Sequence, residues 1–168
     1  TLFFSSANQN RVTAVGVSTL TANQTITTES AGDKGDVQAG LVNEGLISAV
    51  TGTIDLSTTA KTNNGTISAL NGGRIEVSSI HVDNTNGVID VDGTSSLGLE
   101  NGSTILGGQI SGTGTIDQTG AVTLDGSGPG GLTLGSLTAT IDSGETLTVK
   151  ATVTNGATIR LSDASSSA

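Results

Sequence analysis

The chain has 168 residues, a formal net charge of −9 and only two aromatic residues, and it contains 25 glycines but no cysteine, methionine, tryptophan or tyrosine. The lack of cysteine excludes disulfides and thiolate metal sites, and the shortage of cationic and aromatic side chains argues against nucleic-acid binding. No apolar stretch approaches the roughly 18 residues that a membrane-spanning helix needs. A third of the residues are hydrophobic and mostly aliphatic, which favours a folded all-β chain over disorder.

The N-terminal segment 1–40 contains strand-like pieces at 12–17 and 25–27, followed by a polar loop. We predict that this segment forms an N-terminal cap or irregular first turns of a coil. Leu2, Phe3 and Phe4 include both aromatic residues of the chain. Because the end of a parallel coil has unpaired backbone groups, we expect these three residues to cover an end, either of their own coil or of a neighbouring copy.

Residues 41–125 contain an internal repeat. A Gly-x-Ile pattern places isoleucine at positions 47, 67, 89 and 110, so the pattern returns at nearly even intervals. A second track in phase with it contains Ile54, Ile75, Leu97 and Ile116, and a third, looser track runs through segments 80–82, 104–106 and 122–124. Each track alternates apolar and polar residues, as a half-buried strand does.

A period of about 21 residues with up to three short strands per period predicts a right-handed parallel β-helix, a solenoid. Each strand would stack on its counterpart one turn away, and Ile47, Ile67, Ile89 and Ile110 would form one core column. Dividing the length of the chain by this period predicts about eight turns. A β-sandwich is the alternative, because short strands separated by frequent turns are also typical of that fold.

The C-terminal part is less regular. A glycine-rich run at 126–131 is followed by several short strand-like segments. We predict that residues 126–163 form either two more turns or a small antiparallel β cap joined by hairpins, and that residues 164–168 are a tail.

The segments 63–69, 112–117 and 120–128 resemble the right-handed parallel β-helix repeats of bacterial secreted surface proteins, namely filamentous-haemagglutinin-type adhesins and autotransporter passenger domains. The resemblance covers roughly residues 41–165. It implies an extracellular or cell-surface, elongated and mostly non-enzymatic chain that acts as a stalk, an adhesin or part of a surface assembly such as a filament. The partners that it implies are further copies of the chain, a larger surface assembly, or a host or surface glycan.

Two sets of polar residues are candidates for specific roles. Asn43, Asn63 and Asn84 recur about one period apart, which predicts a ladder of amide hydrogen bonds up the coil. Asp83, Asp90 and Asp92 supply the hard oxygen ligands that calcium prefers. Calcium is therefore the one candidate cofactor, and a solvated acidic surface is the other interpretation of these three residues.

An alternative function is a β-helix that binds or processes carbohydrate. Asp55, Glu76 and Asp117 occupy equivalent outward positions, and carboxylates one turn apart would be separated by about 5 Å, as in retaining glycosidases. The chain has few aromatic platforms for sugars, and His81 alternates outward as a lone surface histidine. We therefore expect no enzymatic activity, and a phage fibre segment, which predicts an interleaved trimer, is a further alternative.

Overall fold

The computed structural model describes residues 1–5 and 10–162, and in this part of the chain all regular structure is β-strand. The strands, numbered β1 to β23 in chain order, pair in parallel with the strands three places before and after them. The chain is therefore a β-solenoid of about seven turns, with about 21 residues per turn and three sheets. The predicted parallel coil is confirmed, and the β-sandwich alternative is wrong because the sheets join successive turns.

The prediction of eight turns is too high by one. In sheet A, Leu2 pairs with Ile26, and Ile110 pairs with Leu134, so both of these turns are longer than the turn that joins Ile47 to Ile67. The second of the long turns contains the glycine-rich run 126–131. These two turns use only a few residues more than the others, and beyond β22 (Val153–Asn155) the described chain supplies only β23 (Thr158–Ser162), so the last turn is incomplete.

Sheet A has eight strands, and it contains the isoleucines of the first track. Ile67 pairs with Ile47 on one side and with Ile89 on the other, and Ile89 pairs with Ile110, so the four side chains form one buried column. The strands are β1 (Leu2–Phe4), β4 (Thr25–Thr28), β7 (Leu46–Val50), β10 (Thr66–Leu70), β13 (Val88–Val91), β16 (Gly108–Gly112), β19 (Leu132–Leu134) and β22 (Val153–Asn155).

Sheet B also has eight strands and contains the second track. Ile54, Ile75, Leu97 and Ile116 are consecutive partners and are buried. The strands are β2 (Asn10–Val12), β5 (Lys34–Val37), β8 (Thr53–Ser57), β11 (Arg74–Ser78), β14 (Ser96–Leu99), β17 (Thr115–Gln118), β20 (Thr138–Asp142) and β23 (Thr158–Ser162).

Sheet C has seven strands and contains the third track. Its inner column runs through Leu41, Lys61, Val82, Ile105 and Leu124, so one lysine stands among aliphatic residues. The strands are β3 (Val17–Leu20), β6 (Gly40–Asn43), β9 (Lys61–Asn63), β12 (His81–Asp83), β15 (Thr104–Leu106), β18 (Ala121–Gly126) and β21 (Thr146–Ala151).

Both less regular segments of the sequence contribute strands to the same three sheets. Residues 1–40 supply β1 to β5 and the first residue of β6, and the strands beyond residue 131 pair in parallel with strands of the preceding turn rather than forming antiparallel hairpins. The tail predicted at 164–168 lies outside the described residues. No helix in the described ranges has the length and hydropathy that would span a membrane.

Candidate functional site

The three asparagines lie at the corner between sheets C and A and are hydrogen-bonded to one another. Asn43 Nδ2 donates to Asn63 Oδ1 at 2.7 Å, and Asn63 Nδ2 donates to Asn84 Oδ1 at 2.7 Å. All three side chains are at most 2% exposed. At the ends, Asn43 Oδ1 accepts from the Gly45 N–H, and Asn84 Nδ2 donates to the Gly107 carbonyl oxygen. The row holds three turns together at one corner through buried polar bonds.

The structure does not bring Asp83, Asp90 and Asp92 together as metal ligands. Among the described residues there is no group of three acidic, histidine or cysteine side chains that could hold a metal ion. Asp83 Oδ1 accepts the Thr85 N–H, and Asp90 Oδ1 accepts the Ser111 hydroxyl. Both carboxylates therefore use an oxygen to order their own turn or a neighbouring strand.

Asp92 accepts hydrogen bonds at a different corner of the coil. Its Oδ2 accepts the Asn71 N–H at 2.6 Å, while Oδ1 accepts the Thr94 N–H and the Ser95 hydroxyl. The bonds from Asn71 and Ser95 hold the pKa of the Asp92 carboxyl well below its usual range. The Asn71 backbone has a φ of 54°, in the left-handed region. The Asp92 carboxylate therefore holds in place a strained corner of the preceding turn.

A row of carboxylates crosses the outer face of sheet B. Asp36, Asp55 and Glu76 are consecutive partners, and Asp117 follows after Gly98. Burial is the main cause that raises the pKa of Asp55, and repulsion from Asp36 adds to it, although a hydrogen bond from the Ser78 hydroxyl lowers it.

Arg74 bridges the gap in this row. Its Nε donates to Glu76 Oε1 at 2.8 Å, and its Nη1 donates to Asp117 Oδ2 at 2.7 Å. The guanidinium lies over Gly98, and a Cβ atom at this position would overlap the guanidinium as it is placed. Glu76 and Asp117 are therefore partners of one arginine, which is a structural ion-pair network and not a free acid–base pair.

Lys61 occupies an inward position in sheet C, between Leu41 and Val82. It is 4% exposed, and its Nζ donates to the carbonyl oxygens of Ser57 and Thr59. Burial lowers the pKa of the Lys61 ammonium from 10.5 to about 8, although the charges of the nearby aspartates oppose the shift.

The predicted capping residues divide into two kinds. Phe4 is 2% exposed and belongs to the core, where its ring fills the space left by Gly35. Leu2 and Phe3 are about half exposed at the N-terminal end of the coil. Phe4 therefore fills space inside its own coil, whereas Leu2 and Phe3 are half exposed at the surface.

His81 is exposed on β12 and is a neighbour of Thr104.

Lys61 and Arg74 were not identified by the sequence reasoning. The repeat could have predicted an inward position for Lys61. It stands two positions before Asn63, just as the inward Leu41 stands two positions before Asn43 in the preceding turn. For Arg74 no repeat signal exists, since it has no counterpart of the same type at the equivalent positions Thr53 and Ser96.

No protein-family model, curated protein or solved structure matches this chain. What is established is the architecture, a parallel β-solenoid of three sheets.

Proposed function

We propose that this chain is an extracellular structural or adhesive solenoid that forms part of a cell-surface stalk, adhesin or filament. The observation that carries the proposal is the continuity of the core and of the strand pairing along the coil axis. Each of the three sheets runs along the whole coil, and the aliphatic columns of sheets A and B are unbroken in the middle turns. Seven steps of the sheet spacing give a rod of about 34 Å.

The lateral surface supports a scaffold role. Every exposed large hydrophobic residue of the described chain lies in the first or last turn, so the sides of the middle turns are polar or formed by small residues. A surface without a large apolar patch keeps the sides of a rod soluble. With a net charge of −9, copies in solution repel one another sideways at low ionic strength.

The other candidate functions have weaker support. The carboxylates Glu76 and Asp117 share one ion-pair partner, Arg74, which does not favour acid–base work by this pair on a polysaccharide. Each strand of the middle turns pairs on both sides with strands of its own chain, which favours a self-contained coil over an interleaved fibre trimer.

The location of the protein tests the proposal directly. An antibody against the chain should label intact source cells, and protease added outside them should remove the label. Label that appears only after the cells are permeabilised would contradict the surface assignment. A polysaccharide-cleavage screen of the purified chain distinguishes a structural role from the carbohydrate-processing alternative. Cleavage faster than that of a heat-denatured sample would refute a purely structural role.

A further inference from the structure

Asparagine is followed directly by glycine at five places in the chain, and such pairs can convert spontaneously to aspartate or isoaspartate. The five asparagines are all exposed, and they are Asn64, Asn71, Asn86, Asn101 and Asn155. In this reaction the main-chain nitrogen of the glycine attacks the asparagine side-chain amide, and glycine has no side chain that would hinder the approach. Because all five amides are accessible, the reactivity of each pair depends on whether its glycine N–H group is held elsewhere.

Hydrogen bonds hold the glycine N–H group in four of these pairs. In three of them the acceptor is a main-chain carbonyl oxygen at 2.8 Å, and the donors are Gly87, Gly102 and Gly156. In the fourth pair Gly72 donates to the Ser95 hydroxyl at 3.1 Å. Gly65 is the exception, because its N–H group donates no hydrogen bond to any residue of the described ranges 1–5 and 10–162.

The asparagine ladder accounts for this difference. In the preceding turn the equivalent Gly45 N–H group donates to Asn43 Oδ1 at 3.1 Å, and this oxygen is the free acceptor end of the ladder. One turn later, Asn63 Oδ1 instead accepts the amide of Asn43 at 2.7 Å. The ladder therefore engages the oxygen that corresponds to the partner of Gly45, and the Gly65 N–H group is left without that partner.

The amide that Gly65 would attack has a donor at its oxygen. Asn86 Nδ2 donates to Asn64 Oδ1 at 3.4 Å. Negative charge develops on this oxygen when the nitrogen attacks, and a donor beside it stabilises that charge. The leaving group, Asn64 Nδ2, is not hydrogen-bonded to any other residue that the structure describes.

We infer that Asn64 is the site at which the folded chain forms a succinimide and then aspartate or isoaspartate. The Gly65 nitrogen forms a bond to Asn64 Cγ, the bond from Cγ to Nδ2 breaks, and the Gly65 proton leaves with Nδ2 as ammonia. Water then opens the ring. Attack of water at Cγ gives aspartate, and attack at the main-chain carbonyl carbon gives isoaspartate. The inference does not depend on the proposed function.

The two products affect the coil differently. Aspartate leaves the main chain as it was, whereas isoaspartate adds one methylene group to the main chain between Asn64 and Gly65. Main-chain hydrogen bonds join three turns at this corner. The Thr66 N–H group donates to the Gly45 carbonyl oxygen at 3.0 Å. The Val88 N–H group donates to the Gly65 carbonyl oxygen at 3.1 Å. A longer main chain displaces these groups, so the isoaspartate product should loosen the corner.

Peptide mapping by mass spectrometry, after incubation of the chain in mildly alkaline buffer, measures the five rates. Cleavage after Lys61 and Arg74 yields one peptide, 62–74, which carries both Asn64 and Asn71, and a sample without incubation corrects for conversion during digestion. In the folded chain Asn64 should convert about tenfold faster than each of the other four, because a hydrogen bond must first open at those sites. In urea the five rates should become similar.

Asn64→Gln is the matched control, because its longer side chain closes a ring far more slowly, and it should remove the conversion at this position. Equal rates at Asn64 and Asn71 in the folded chain would overturn the inference. A ranking that persists in urea would overturn it as well, since the fold would not then decide the site.

Hydrogen exchange distinguishes the effects of the two products. Asn64→Asp should keep the protection of β10, whereas the isoaspartate fraction separated from the incubated chain should lose protection there. Full protection of β10 in the isoaspartate fraction would contradict the expected loosening of the corner.

Discussion

The ring of Phe4 lies over Gly35 inside the first turns of the coil, and this contact yields a quantitative prediction. Gly35 occupies the sheet B position that is filled by Ile54 in the next turn, so an aliphatic side chain is absent where the repeat would place one. A Cβ atom at Gly35 would overlap the Phe4 ring. Phe4 therefore replaces the missing side chain from another strand, and the two positions are coupled.

The magnitudes follow from the burial of the ring. Phe4→Ala removes a ring that is 2% exposed and should destabilise the first turns by about 3–5 kcal/mol. Gly35→Val overfills the same space and should cost about 1–3 kcal/mol. In the double variant the valine enters the space that the ring has left, so its cost should be smaller than the sum of the two single costs by about 1 kcal/mol or more.

Hydrogen exchange measured by mass spectrometry suits this test, because the turns of a solenoid can open separately and the chain has no tryptophan or tyrosine to report by fluorescence. Protection of β4 and β5 should fall in each single variant and recover partly in the double variant, while β10 and β11 stay protected. Phe3→Ala is the matched control, since Phe3 is 50% exposed, and it should change protection far less. Additive losses in the double variant would refute the assignment of Phe4 as the plug of this space.

Three further predictions concern the middle of the coil. Asn63→Asp should lower the unfolding free energy by about 3 kcal/mol at neutral pH, because a buried charge would face an acceptor oxygen, and stability should return in acid as that carboxyl is protonated and can donate. Lys61→Met should stabilise the protein at pH 7. Because burial lowers the Lys61 pKa from 10.5 to about 8, the unfolded chain binds more protons between these values, so the unmodified protein gains stability as pH rises and the advantage of the variant shrinks. Arg74→Ala should cost about 1 kcal/mol at low salt and less at high salt, because its ion pairs are partly exposed.

Urea unfolding followed by circular dichroism measures all three. For Asn63→Asp, an equal loss at acid and neutral pH would contradict the ladder, and Asn64→Asp at the neighbouring exposed position is its control. For Lys61→Met, a stability difference that does not change between pH 8 and 10.5 would show that the ammonium is not desolvated. For Arg74→Ala, a cost unaffected by salt would assign the effect to packing and not to charge.

The sequence alone predicted the coil and its core columns. Each turn repeats a short local pattern of β-branched and polar residues, and the phase of the pattern specifies which residues stack, as with Ile47, Ile67, Ile89 and Ile110. The recurrence of Asn43, Asn63 and Asn84 predicted their contacts for the same reason, since residues one period apart become neighbours in any parallel coil. The binding partner and the location of the protein remain proposals, because no repeat pattern specifies them.

Only the tertiary structure decided the features that occur once. Two turns are longer than the period of the repeat, and the strands beyond residue 131 paired in parallel where hairpins were an open alternative. Lys61 entered an aliphatic column, Arg74 reached a strand two turns away, and Phe4 filled the space above Gly35. Each of these depends on which dissimilar residues are stacked together and on the volume and charge between them, and such contacts form only when the turns are in place.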